Sequence, residues 1–61
     1  MRICAKNPFY KDVIRAVREA LPALDYNDAA DIADGNVEID EVRAEQILAK
    51  MPDPDELCEL V

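Results

Sequence analysis

The chain has 61 residues, 14 of them acidic and 7 basic, for a formal net charge of −7. A chain this short holds one domain with one small core, and buries only about 60% of the surface its unfolded form exposes. Its 51% apolar content excludes a disordered acidic tail, and the absence of histidine, serine and threonine removes the near-neutral base and the hydroxyl nucleophiles on which most catalysis depends.

The opening Arg2-Ile3-Cys4-Ala5 alternates polar and apolar residues, as does Asn36-Val37-Glu38-Ile39, and the two predict a minimal two-stranded pairing of about residues 2–5 with 36–39. No apolar run near the N-terminus has the length of a signal peptide, and none elsewhere approaches the ~20 residues of a membrane span. A cytoplasmic protein without a membrane partner is therefore expected. In such a compartment Cys4 and Cys58 are expected to be free thiols.

A first helix is predicted over 8–21, capped by Asn7 with Pro8 at its first position and stopped by Pro22. Phe9, Val13, Ala16, Val17, Ala20 and Leu21 repeat at the helical period, with Lys11, Arg15 and Arg18 on the opposite face. A second helix is predicted over 26–34, with Asp25 or Asn27 as cap and Gly35 as a left-handed stop. Its apolar face is mostly Ala29, Ala30 and Ala33, small residues suited to close packing on another helix. Asp40 caps a third helix over 41–51, in which Ala44, Ile47, Leu48 and Met51 recur at helical spacing before Pro52. Asp53-Pro54 starts a last turn or short helix that supplies Leu57, Cys58, Leu60 and Val61 as apolar contacts. The fold class is mainly α, a three- to four-helix domain spanning 1–61. Its core is expected from Phe9, Val13, Val17, Leu21, Ile32, Val37, Ile39, Ile47, Leu48, Leu57 and Leu60.

Charge is distributed unevenly along this chain. Residues 1–24 sum to +3, residues 46–61 to −3, and residues 25–45 carry eight acids against Arg43 alone. Those acids are Asp25, Asp28, Asp31, Asp34, Glu38, Asp40, Glu41 and Glu45. Residues three apart on a helix rise about 4.5 Å and rotate about 300°, so the aspartates form a drifting band. A band of spaced negative charge can occupy a basic groove that normally holds phosphates, whereas a plain solvated face would only keep the protein soluble. Lys11, Arg15 and Arg18 are expected to pair with the acids of the same chain.

The segment around Gly35 looks like a helix–loop–helix calcium loop. With Gly35 at the sixth loop position, Val37 falls at the eighth and Glu41 at the twelfth, but Ala30 and Ile32 fall where oxygen ligands are required. It is read instead as a glycine-capped helix followed by an acidic turn, and no metal or cofactor is expected. A DNA-reading role for 41–51 is disfavoured because that helix would repel phosphates, so no direct nucleic-acid binding is expected.

No motif assigns a family. In size, acidity, helical content and missing chemistry the chain resembles the small phage-encoded inhibitors of host defence and nucleic-acid enzymes, including anti-CRISPR and restriction-inhibitor proteins. The resemblance implies a DNA-mimic-like, stoichiometric inhibitor in the host cytoplasm, its eight acids facing a basic partner surface. The other classes that fit are a transcriptional or toxin-regulating helical module and a structural subunit acting as a homodimer.

Overall fold

Aspartates, prolines and one glycine divide the chain into its elements, and the computed structural model, which describes all 61 residues, places a helix wherever those signals bracket an apolar period. The order is β1 (Ile3–Ala5), α1 (Tyr10–Ala20), α2 (Tyr26–Ala33), α3 (Glu41–Leu48), α4 (Pro54–Leu57) and β2 (Cys58–Leu60). The protein is mainly α, with four helices and a minimal two-stranded antiparallel sheet.

Helix α1 lies at the centre and packs against α2, α3 and α4. Its buried residues are Val13, Ile14, Ala16 and Val17, so Ile14 widens the apolar stripe expected from the spacing. The helix begins two residues later than predicted. Asn7 makes no side-chain cap; with Pro8 it occupies a turn closed by the Phe9 N–H donating to the Lys6 carbonyl at 2.7 Å, and the Asn7–Pro8 peptide is cis. At the other end the Leu21 N–H closes the last turn on Val17, and Pro22, which has no N–H, cannot continue it.

The capping aspartates act as expected. Asp25, Asp40 and Asp53 accept from the backbone N–H groups of Asp28 (2.8 Å), Arg43 (2.7 Å) and Glu56 (3.4 Å), each satisfying a donor that a helix start leaves without a partner. Helix α2 ends in a Schellman motif: the Asn36 N–H donates to Asp31 and the Gly35 N–H to Ile32, with Gly35 at φ +78°. The stretch that looked like a calcium loop is this cap. Helix α3 stops at Leu48 and not at Met51, because Lys50 and Met51 donate to the carbonyls three residues back and tighten the end into a turn before Pro52.

The sheet corrects one expectation. Strand β1 pairs with β2, in the register Ile3↔Leu60, Cys4↔Glu59 and Ala5↔Cys58, and not with 36–39. The reciprocal bonds of Arg2 and Val61 (2.7 and 2.9 Å) extend the ladder. The segment predicted as partner borders the other edge of β1, reached by the Cys4↔Asp34 bridge and by the reciprocal bonds of Met1 and Ile39. The Schellman cap holds residues up to Asn36 in a turn, so no continuous strand can form there. Because successive strand residues point to opposite faces, Cys4 and Cys58 face away from each other across the ladder, and both are free thiols. Burial pushes the Cys58 thiol above its ordinary value, and its Sγ–H donates to the Pro54 carbonyl at 3.4 Å.

The core holds 14 residues and no polar side chain. Val13, Val17, Ile32, Ile39, Ile47 and Leu57 are in it as expected; Phe9, Leu21 and Leu48 are half-buried at its edge; Val37 and Leu60 are exposed. Four alanines, Ala16, Ala29, Ala33 and Ala44, take places that larger residues would fill in a bigger domain. Ile3, Ile14, Met51 and Cys58 complete it. No helix is long and apolar enough to cross a membrane.

Candidate partner-binding surface

All eight acids of the 25–45 segment are exposed, and they belong to α2, α3 and the segment joining them. They divide into two groups. Asp25 and Asp40 are occupied as helix caps. Asp40 also holds Arg43 through Nη1 at 2.7 Å. Asp34, at the C-terminal end of α2, faces the negative end of the helix dipole, and there it accepts from the Tyr10 hydroxyl at 3.2 Å. Partial burial, then the Asp34 hydrogen bond and the negative charges nearby, push the Tyr10 phenol above its ordinary value of 10.0. Glu38 lies 3.8 Å from the Met1 amino group with its side chain 77% exposed.

Asp28, Asp31, Glu41 and Glu45 form no side-chain hydrogen bond or ion pair. Asp28 and Asp31 sit three apart on α2, outside the buried Ala29, Ile32 and Ala33; Glu41 and Glu45 sit four apart on α3, outside the buried Ala44 and Ile47. These four are the carboxylates a partner could engage at no cost to the fold.

The basic residues of α1 depart from expectation. The chain has two ion pairs, Met1–Glu38 and Asp40–Arg43, and neither involves Lys11, Arg15 or Arg18. Those three cations lie along an open groove of about 640 Å³ that also borders Ile14 and the exposed Tyr26. An exposed pair gains too little Coulomb energy to hold two long side chains in one geometry, so nothing draws them to the acids. The cations of α1 and the acids of α2 and α3 thus remain without direct ion pairs to one another after folding.

No group of three or more cysteine, aspartate or glutamate side chains converges to hold a metal ion. Helix α3 offers Glu41, Glu45 and Gln46 outward, with Arg43 already engaged by Asp40, a poor surface for meeting phosphates.

Asp40 ties this surface to stability. The Arg43 N–H, then the Arg43 charge, hold its carboxyl below the ordinary value of 3.8, against partial desolvation. A lowered value in the folded state means the contribution is fully present above 3.8 and lost as pH falls through the lowered value. Asp40→Ala is expected to lower Tm by roughly 4–8 °C near neutral pH, through loss of the cap. The gap from wild type should shrink below pH 3.8 in thermal melts followed by circular dichroism. A gap unchanged with pH would mean the carboxylate charge plays no part.

Comparison with protein-family models, with curated proteins and with solved structures finds no match to this chain.

Proposed function

We propose that this chain is a non-enzymatic acidic protein-binding module that acts as a stoichiometric inhibitor, presenting carboxylates to the basic, nucleic-acid-binding surface of a partner protein. The observation that carries the reading is the group of four unengaged carboxylates, Asp28, Asp31, Glu41 and Glu45, exposed on α2 and α3 while the cations of α1 leave them unneutralised. Glu38 adds to them. Spaced charges of one sign steer a basic surface into contact and compete with the phosphates it normally binds. Asp25, Asp34 and Asp40 serve the surface indirectly, by holding the ends of α2 and α3. The setting that fits is the cytoplasm, against nucleic-acid machinery, as for the phage-encoded inhibitors the chain resembles in profile.

The variant Asp28→Asn, Asp31→Asn, Glu41→Gln, Glu45→Gln tests this without touching a cap. Its helical spectrum is expected to stay near wild type, with Tm lower by a few degrees at most, because Asp28 and Glu41 sit in the first turns of α2 and α3, where carboxylate charge favours the helix dipole. Binding to the protein captured from the natural host should weaken about a hundredfold or more at low salt, and wild-type binding should be displaced by nucleic acid. Equal binding by the variant would reduce the band to a solvated face.

A second reading draws on the three unpaired cations of α1, which would let a regulatory helical module hold an anionic partner instead. Lys11→Gln, Arg15→Gln, Arg18→Gln separates the two, since it abolishes that interaction and leaves the acidic one intact.

A further inference from the structure

Between the α1–α2 connection and the segment entering α3 lies an apolar groove that charge patterning does not reveal. It holds about 390 Å³ and is lined by Leu21 and Leu24 from the α1–α2 connection, Ile32 from α2, and Val37 and Ile39 from the segment entering α3. Glu38, Asp40 and Arg43 border it. Ile32 and Ile39 belong to the core, whereas Leu21 and Leu24 are only partly buried against it and Val37 is 37% exposed. A chain this short has little apolar surface to spare, yet three branched side chains remain half-covered around one groove.

We propose that this groove is the anchor pocket of the acidic surface, and that it takes one aliphatic or aromatic side chain from a basic protein segment, flanked by lysine or arginine. The inference rests on the partner-surface reading and deepens it. Charge complementarity selects the occupant. Six of its eight lining residues belong to the 25–45 segment, whose formal charge is −7; Asp40 is already neutralised by Arg43, but Glu38 is 77% exposed and only loosely tied to the Met1 amino group. A cationic residue on the Glu38 side of the anchor therefore meets an exposed carboxylate that the Met1 amino group holds only loosely. Size sets the rest, because the volume lies near the lower end of the range for clefts that enclose a small ligand, and admits a side chain where a second helix would not fit. Interfaces concentrate affinity in such anchors, with the charged rim supplying steering and register.

The distinction from a purely electrostatic mimic is measurable. Charge contacts at an exposed surface fade with salt, and apolar burial does not. The test titrates isotope-labelled protein, followed by backbone-amide and methyl resonances, with two synthetic peptides. Each carries arginine and lysine on both sides of one central residue, leucine in the first and alanine in the second. The leucine peptide is expected to bind about tenfold tighter. It should shift the methyl groups of Leu21, Leu24, Val37 and Ile39, and those shifts should persist at about 0.5 M salt while shifts at the acidic residues shrink. Val37→Ser, at an exposed position, should keep the wild-type Tm and lose the preference for leucine.

Equal affinity for the two peptides, without methyl shifts, overturns the anchor and leaves the acidic surface standing. No shift at Asp28, Asp31, Glu41 or Glu45 with either peptide at low salt overturns both. Groove resonances that move with protein concentration alone would make a second copy of this chain the occupant, and overturn the assignment to a basic partner.

Discussion

Val17→Asp is expected to leave the chain unfolded at 25 °C, with no helical minima in the far-ultraviolet and no cooperative melt. Val17 is 0% exposed and sits on the stripe of α1 that carries the core. That core contains no polar side chain, so a carboxylate placed there finds neither a donor nor a cation. Burying it without a partner costs several kcal/mol, against a total stability of roughly 3–9 kcal/mol for a chain of this length. The control is Val42→Asp on α3, where the native side chain is 64% exposed; its Tm should stay within about 3 °C of wild type. A Val17→Asp protein that melts cooperatively near the wild-type temperature would show that α1 does not present this face to its neighbours.

The second large effect belongs to Gly35. It closes α2 at φ +78°, a conformation in which any side chain is strained, and a Cβ built there lies 2.5 Å from Cys4 Sγ. Gly35→Ala therefore meets two separate penalties, backbone strain of about 1 kcal/mol or more and a steric clash of similar size. Together they should remove on the order of half the stability measured by denaturant unfolding. Removing the sulfur separates them. With Cys4→Ala in the same chain the next contact is the Ile3 carbonyl oxygen at 3.6 Å, so the double variant should recover the clash and keep the strain. Without any recovery, the cap of α2 would not be packed against β1.

These two sites also mark what could be read from the sequence. Gly35, Asp25, Asp40 and Asp53 act on groups within a few residues of themselves, and the helices they delimit were predicted with small errors at their ends. The partner of β1 could not be read in this way. Its three residues are too few for a period to show, and β2 lies more than fifty residues along the chain, after a helix of four. Ile3 is absent from the expected core for the same reason, and Val37 is included in it because it alternates with Ile39 in a segment that is not a strand.

The acidic surface was partly legible. Its net charge is a sum over residues and needs no fold. The division of labour within it does need one: Asp34 is engaged by Tyr10, 24 residues away, and no local pattern announces that bond. The freedom of Lys11, Arg15 and Arg18 was likewise hidden, since opposite charges in a sequence suggest pairing and only geometry shows that none occurs. The apolar groove joins residues 21–24 to 37–39 and exists only once the chain has turned at Gly35.

The reciprocal bonds between Arg2 and Val61 bring residues 1 and 61 to the same spot, and the Met1 backbone bonds Ile39, a residue of the groove. A tether, fluorophore or fusion joined at either end therefore emerges beside the surface proposed to meet the partner. Protein immobilised by its termini would mask the groove. A handle at the exposed Lys50, in the turn after α3, would leave that approach open.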